Sequence, residues 1–190
     1  MTCIIGLLDN GVAYMGADSF GSNGYVGQVY KNKKVFKLDK HKDILMGYTT
    51  SFRMGQLLQY SESLFDELNL LKDDIDEKYM VNKFIPNVRK LFKQGEYGKP
   101  ETGGNFLLTF KDKLYEIQDD FSILEPKDKF ASVGCGENFA MASLTTSQET
   151  DKTPIERITD ALTIAEKYAT GVRRPFYILN NLDDEIIEIL

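Results

Sequence analysis

Histidine is almost missing from this 190-residue chain, and cysteine, proline and basic charge are all in short supply. The one histidine, His41, stands between Lys40 and Lys42 in a polar stretch, so a Ser-His-Asp triad has no base to build on. Two cysteines, Cys3 and Cys135, cannot make a disulfide framework, and nothing near them has zinc-ligand spacing. Five prolines and 15 glycines are too few for a disordered or collagen-like chain. Lysine and arginine number 23 against 29 acidic residues, a net charge of −6, which argues against a nucleic-acid partner. No segment approaches the roughly 20 apolar residues of a membrane helix. The apolar run at 3–8 has no basic lead-in and stops at Asp9-Asn10-Gly11, too early for a secretory signal. These absences predict a soluble, cytoplasmic protein with no membrane partner. With 42% apolar residues, 1–190 is enough for one domain with its own core.

What is present begins with a hairpin. Residues 3–8 and 12–17 are apolar and flank the turn signal Asp9-Asn10-Gly11. A glycine-containing loop follows, with Gly21, Gly24 and Gly27, then strands over 34–38 and 44–50. Met54, Leu57, Leu58, Leu64, Phe65 and Leu68 recur at helical spacing, with Thr50 or Ser51 as the N-cap. Met80, Phe84, Val88, Leu91 and Phe92 predict a second helix, with a kink or break at Pro86. A second hairpin is read at 105–118, a strand at 130–133 and a short helix from the Gly134-Cys135-Gly136 turn to Leu144. Thr153-Pro154-Ile155-Glu156 is a capping box that starts a further helix. Strands at 176–179 and 185–190 close the chain. Strands and helices in segregated blocks predict α+β, a four-layer α-β-β-α sandwich of two mostly antiparallel sheets with helices on both outer faces.

One residue stands out chemically. Removal of Met1 exposes Thr2 as an N-terminal threonine, whose hydroxyl is the nucleophile and whose α-amine is the base. That amine titrates at about 7.7–8.0 when unperturbed, and a buried cation beside it lowers the value. Thr2 leads directly into an apolar strand, which holds the terminus inside the fold.

The run of Thr2, Gly16-Ala17-Asp18-Ser19 and Asn32-Lys33-Lys34-Val35 resembles the proteasome β-subunit family, most closely its HslV-like threonine peptidases. The resemblance implies Thr2 as nucleophile, Lys34 as the cation that lowers the amine's pKa, and Asp18 as the group that orients Lys34. It also puts Cys135, within Gly134-Cys135-Gly136, where the family carries a serine that holds the terminal amine. Thr170-Gly171 matches the family's Ser-Gly, with Lys167 where some members have aspartate. Thr50 and Ser51 occupy the place of a glycine-containing pair at the oxyanion site. Phe20, Met46 and Thr50 are the implied binding-pocket walls.

The resemblance implies a threonine-type endopeptidase that acts on peptides or unfolded proteins inside a homo-oligomeric ring, with an ATP-dependent unfoldase as a possible partner. It needs neither cofactor nor metal. The acidic cluster Asp73, Asp74, Asp76 and Glu77 lacks the glycine and spacing of a calcium loop and reads as a solvated helix start. Two other readings share the chain: an inactive assembly subunit that retains Met1, and an N-terminal-nucleophile amidase for small molecules.

Overall fold

The computed structural model describes residues 1–61, 63–65, 75–99 and 102–190. Leu68, Asp73 and Asp74 lie outside them. In chain order the strands and helices begin β1 (Ile4–Asp9), β2 (Val12–Ala17), β3 (Phe20–Ser22), β4 (Gly27–Val29), β5 (Val35–Leu38), β6 (His41–Tyr48) and α1 (Phe52–Gln59). Next come α2 (Glu77–Tyr79), a π-helical turn at Met80–Phe84, α3 (Ile85–Gln94), β7 (Phe106–Phe110), β8 (Lys113–Ile117) and β9 (Ile123–Leu124). The chain ends with β10 (Phe130–Val133), α4 (Glu137–Thr146), α5 (Pro154–Tyr168), β11 (Phe176–Asn180) and β12 (Ile186–Ile189).

One five-stranded sheet has the order β10-β1-β2-β11-β12 and the other β5-β6-β7-β8-β9, with every pairing antiparallel. The opening apolar run has no alternation because β1 is buried on both faces. Ile4 and Leu8 pack with Met15, Val35, Leu45, Leu107 and Leu114 between the sheets. Ile5 and Leu7 pack with Leu144, Ile158 and Leu162 of α4 and α5 on the opposite face. Each large side chain buried this way contributes about 1.5–3 kcal/mol. A third cluster joins Phe36, Ile44, Met46 and Tyr48 of the second sheet to Met54 and Leu58 of α1 and Val88 and Phe92 of α3.

Several details differ from the sequence-based expectations. α1 ends at Gln59, so Leu64 and Phe65 lie beyond it in a turn, and β9 is a strand that no pattern announced. The glycine-containing loop holds the short hairpin β3–β4, with Phe20 opposite Val29. Pro86 does not break its helix. The turn before it widens instead, with the Ile85 N–H donating to the Met80 carbonyl five residues back. Proline has no N–H to donate, and its ring crowds the carbonyl four residues back, so a wider turn accommodates both defects. The capping box forms as expected, with Thr153 and Glu156 exchanging hydrogen bonds at the start of α5.

Candidate active site

The ends of five strands meet at one edge of the two sheets. β1 begins there and β2 and β10 end there, since Ile4 pairs with both Ala17 and Val133. In the second sheet β5 begins and β6 ends at the same edge, with Val35 opposite Gly47. The residues just outside those strands are Thr2, Asp18, Cys135, Lys34 and the Thr49–Thr50 pair. Antiparallel pairing thus gathers positions far apart in the chain.

Asp18 and Lys34 form the buried centre. The two side chains meet at 2.9 Å and are 0% and 3% exposed. The Lys34 ammonium has three hydrogens and uses all of them. They go to Asp18 Oδ1, to the Phe20 carbonyl at 2.6 Å and to Thr2 Oγ1 at 2.5 Å. Asp18 accepts three further bonds from backbone N–H groups: Cys3 at 3.0 Å, Phe20 at 2.9 Å and Arg173 at 3.4 Å. Burial pulls the Lys34 pKa below its ordinary value, and the Asp18 carboxylate opposes that shift only in part. An ammonium poised this way can stabilise, or share a proton with, the hydroxyl it touches.

Thr2 is 3% exposed and pinned at three atoms. Its hydroxyl meets Lys34, its carbonyl accepts from the Gly136 N–H at 3.2 Å, and its N–H donates to Cys135 Sγ at 3.3 Å. Gly134 makes this close approach possible. Its φ is +108°, and a Cβ there would stand 2.3 Å from the Thr2 carbonyl oxygen. Gly16, in the motif that carries Asp18, faces α5 so closely that a Cβ would reach Ile158 at 2.4 Å. Met1 lies over Gly171, where a Cβ would meet Met1 Cβ at 2.3 Å and Cys135 Sγ at 2.9 Å.

Thr50 has φ +61°, a left-handed conformation that a β-branched residue rarely adopts. The expected glycine pair at this place suits that backbone. Here the threonine holds it with Oγ1 contacts to Thr49 Oγ1 at 3.0 Å and the Asn105 N–H at 3.4 Å.

Not every expected residue reaches the site. Phe20 enters through its carbonyl, while its ring lies under the Arg173 guanidinium at 5.7 Å. Met46 is fully buried with Ile44 and Tyr48, packed against α1 and α3. Thr170 is exposed and makes no hydrogen bond to Thr2 or Cys135 among the described residues. Three contributors went unrecognised in the sequence. Arg173 offers its N–H to Asp18, buried Ser19 donates to the Pro175 carbonyl, and Ser132 bridges the Cys3 thiol and the Ile4 carbonyl. Arg173 and Pro175 come from beyond α5, and no local pattern marks them. The described residues hold no group of three or more His, Cys, Asp or Glu able to bind a metal.

No protein-family profile and no curated protein matches the sequence. The likeness to known proteins is structural. BPH from Thiobacillus denitrificans, solved in complex with epoxomicin, superposes with a TM-score of 0.75 at 13% identity, covering 100% of both chains. Eukaryotic HslV from Trypanosoma brucei gives 0.69 at 16% identity over 94% of this chain and 98% of that one. Anbu, an ancestral beta-subunit from Yersinia bercovieri, gives 0.72 at 12% identity over 100% of this chain and 87% of that one. All three are proteasome-like N-terminal-nucleophile proteins, and this α+β chain has their fold.

Proposed function

We propose that this chain, with its proteasome-like fold, is a threonine-type peptidase that works through Thr2 once Met1 has been removed. The observation that carries the reading is the buried contact of Lys34 with both Thr2 Oγ1 and Asp18. The free Thr2 amine takes the hydroxyl proton as Oγ1 attacks a peptide carbonyl, and Lys34 offsets the charge that develops on Oγ1. The tetrahedral oxyanion needs backbone donors. The Thr50 N–H, which has no acceptor among the described residues, is the donor we assign to it. Collapse leaves an ester on Thr2 and passes the proton to the departing amine. Water, deprotonated by the same Thr2 amine, then hydrolyses the ester.

The packing of two sheets between helix pairs supports the four-layer α-β-β-α arrangement expected from the sequence. The likeness to HslV and Anbu supports a homo-oligomeric ring, and the family resemblance of the Thr2, Asp18 and Lys34 motifs adds peptide or unfolded protein as substrate and an ATP-dependent unfoldase as a possible partner. A second reading, an inactive subunit, draws on Met1. While it stays packed over Gly171, the Thr2 nitrogen is an amide and cannot act as a base.

Intact mass with N-terminal sequencing, followed by incubation with epoxomicin, tests the proposal. Protein that begins at Thr2 is expected to carry one epoxomicin adduct on Thr2, and Thr2→Ala is expected to lower peptide cleavage about 10³-fold or more. Fully trimmed protein with neither adduct nor cleavage would overturn it.

A further inference from the structure

Cys135 stands where a hydroxyl would position the Thr2 nitrogen equally well, and sulfur brings chemistry that oxygen lacks. Its Sγ lies 3.3 Å from the Thr2 nitrogen, and the residue is exposed to solvent. Glycines flank it on both sides in the chain, and its Sγ stands 2.9 Å from where a Cβ on Gly171 would lie, so a side chain there would crowd the sulfur. The other thiol is no competitor. Cys3 is fully buried, is engaged with Ser132, and has its pKa pushed up to about 12, chiefly by burial. Exposure and a nitrogen at contact distance are the two conditions under which an oxidised cysteine closes onto that nitrogen.

We infer that Cys135 and the Thr2 nitrogen form a reversible sulfur–nitrogen bond under peroxide, a modification that silences the site. The inference rests on the Met1-trimmed enzyme proposed above. In the first step the Cys135 thiol reduces hydrogen peroxide, giving a sulfenic acid and one water. The Thr2 amine then attacks that sulfur. The S–N bond forms, the S–O bond breaks, and hydroxide leaves as a second water with a proton from the amine. The product is a sulfenamide. Its nitrogen is tied to Cys135 and no longer serves as the base, so Thr2 Oγ1 cannot be activated. Attack of an external thiol on the sulfur releases the amine and leaves a mixed disulfide on Cys135. A second thiol restores Cys135.

The test uses the trimmed full-length protein, hydrogen peroxide, intact mass and epoxomicin labelling. Peroxide is expected to lower the mass by about 2 Da, the two hydrogens lost in forming the bond. Labelling of Thr2 disappears with it, and dithiothreitol restores both. A Cys3–Cys135 disulfide has the same mass, so the Cys3→Ala variant decides between them. Persistence of the 2 Da loss in that variant supports the S–N bond, and its disappearance overturns it. Stable addition of about 16 or 32 Da on the peptide that carries Cys135, without that loss, also overturns the inference. In Cys135→Ser the 2 Da loss is expected to be absent under peroxide. Reduced, trimmed protein that fails to label refutes the peptidase reading instead. Protein that labels normally but shows no 2 Da loss refutes the sulfur–nitrogen bond alone.

Discussion

Replacing Asp18 with alanine removes the one anion that the described residues place beside Lys34, a lysine with no exit to solvent. The carboxylate is 0% exposed and accepts from Lys34 and from three backbone N–H groups. Without it, the Lys34 ammonium keeps only neutral acceptors, Thr2 Oγ1 and the Phe20 carbonyl. Breaking a buried ion pair by deleting one partner costs about 3–5 kcal/mol. Orphaned backbone donors add about 1–3 kcal/mol each only where water cannot replace the carboxylate, and the space left by truncation admits water. The ion-pair figure therefore sets the expectation for Asp18→Ala. In a chain of this size it lowers the melting temperature by roughly 6–20 °C.

The sign of the pH dependence also follows. Burial already holds the Lys34 pKa below 10.5, and loss of Asp18 removes the main influence that raises it. On the alkaline side below 10.5 the unfolded chain then binds a proton that the folded chain has shed. Stability of the variant relative to wild type therefore rises with pH between the Lys34 pKa of the folded variant and the higher one of the folded wild type, and levels off above it. Urea unfolding followed by far-UV circular dichroism measures both effects, since the chain has no tryptophan to report by fluorescence. The double variant Asp18→Ala/Lys34→Met, which removes both charges, is expected to regain most of the loss. A single variant within about 1 kcal/mol of wild type, or a double variant no better than the single, would refute the buried-pair reasoning.

Gly134→Ala places a Cβ 2.3 Å from the Thr2 carbonyl at a φ of +108°. It is expected to destabilise the fold by about 1–3 kcal/mol and to abolish epoxomicin labelling of trimmed protein; unchanged labelling would show that Thr2 does not depend on this approach. Alkylation of native protein with iodoacetamide is expected to modify Cys135 and to spare Cys3, whose burial holds its pKa near 12, until urea unfolds the chain. Peptide mapping identifies the modified thiol, and modification of Cys3 in native protein would refute its assigned burial.

The parts of the site legible in the sequence are those next to the ends of strongly patterned strands. Thr2, Asp18 and Lys34 each abut an apolar run whose boundary could be read, and antiparallel pairing brings those boundaries together. Met46 shows another limit: β6 from Ile44 to Tyr48 is buried throughout, so apolar character alone does not reveal which face a residue occupies. Arg173 was illegible for another reason: its contribution is a backbone N–H, 155 positions from its acceptor, and any residue except proline could offer one. The hairpin β3–β4 is hidden by three glycines and an exposed tip, where Tyr25 is 98% exposed and no packing enforces alternation. Thr50 is the converse case. The sequence marks it as foreign to the expected glycine pair, and its left-handed backbone explains why glycine is expected there.

The place of β1 in its sheet also sets a timetable. Within this sequence β1 leaves the ribosome ahead of its two neighbours, β2, available at once, and β10, which begins only at Phe130. At roughly 5–20 residues per second, the intervening chain takes on the order of ten seconds to emerge. Until then the segment around Thr2 lacks the Gly136 N–H and the Cys135 sulfur that later pin it. Any aminopeptidase that trims Met1 therefore works most freely on the nascent chain, before the second half of the protein closes over the bond it must cut.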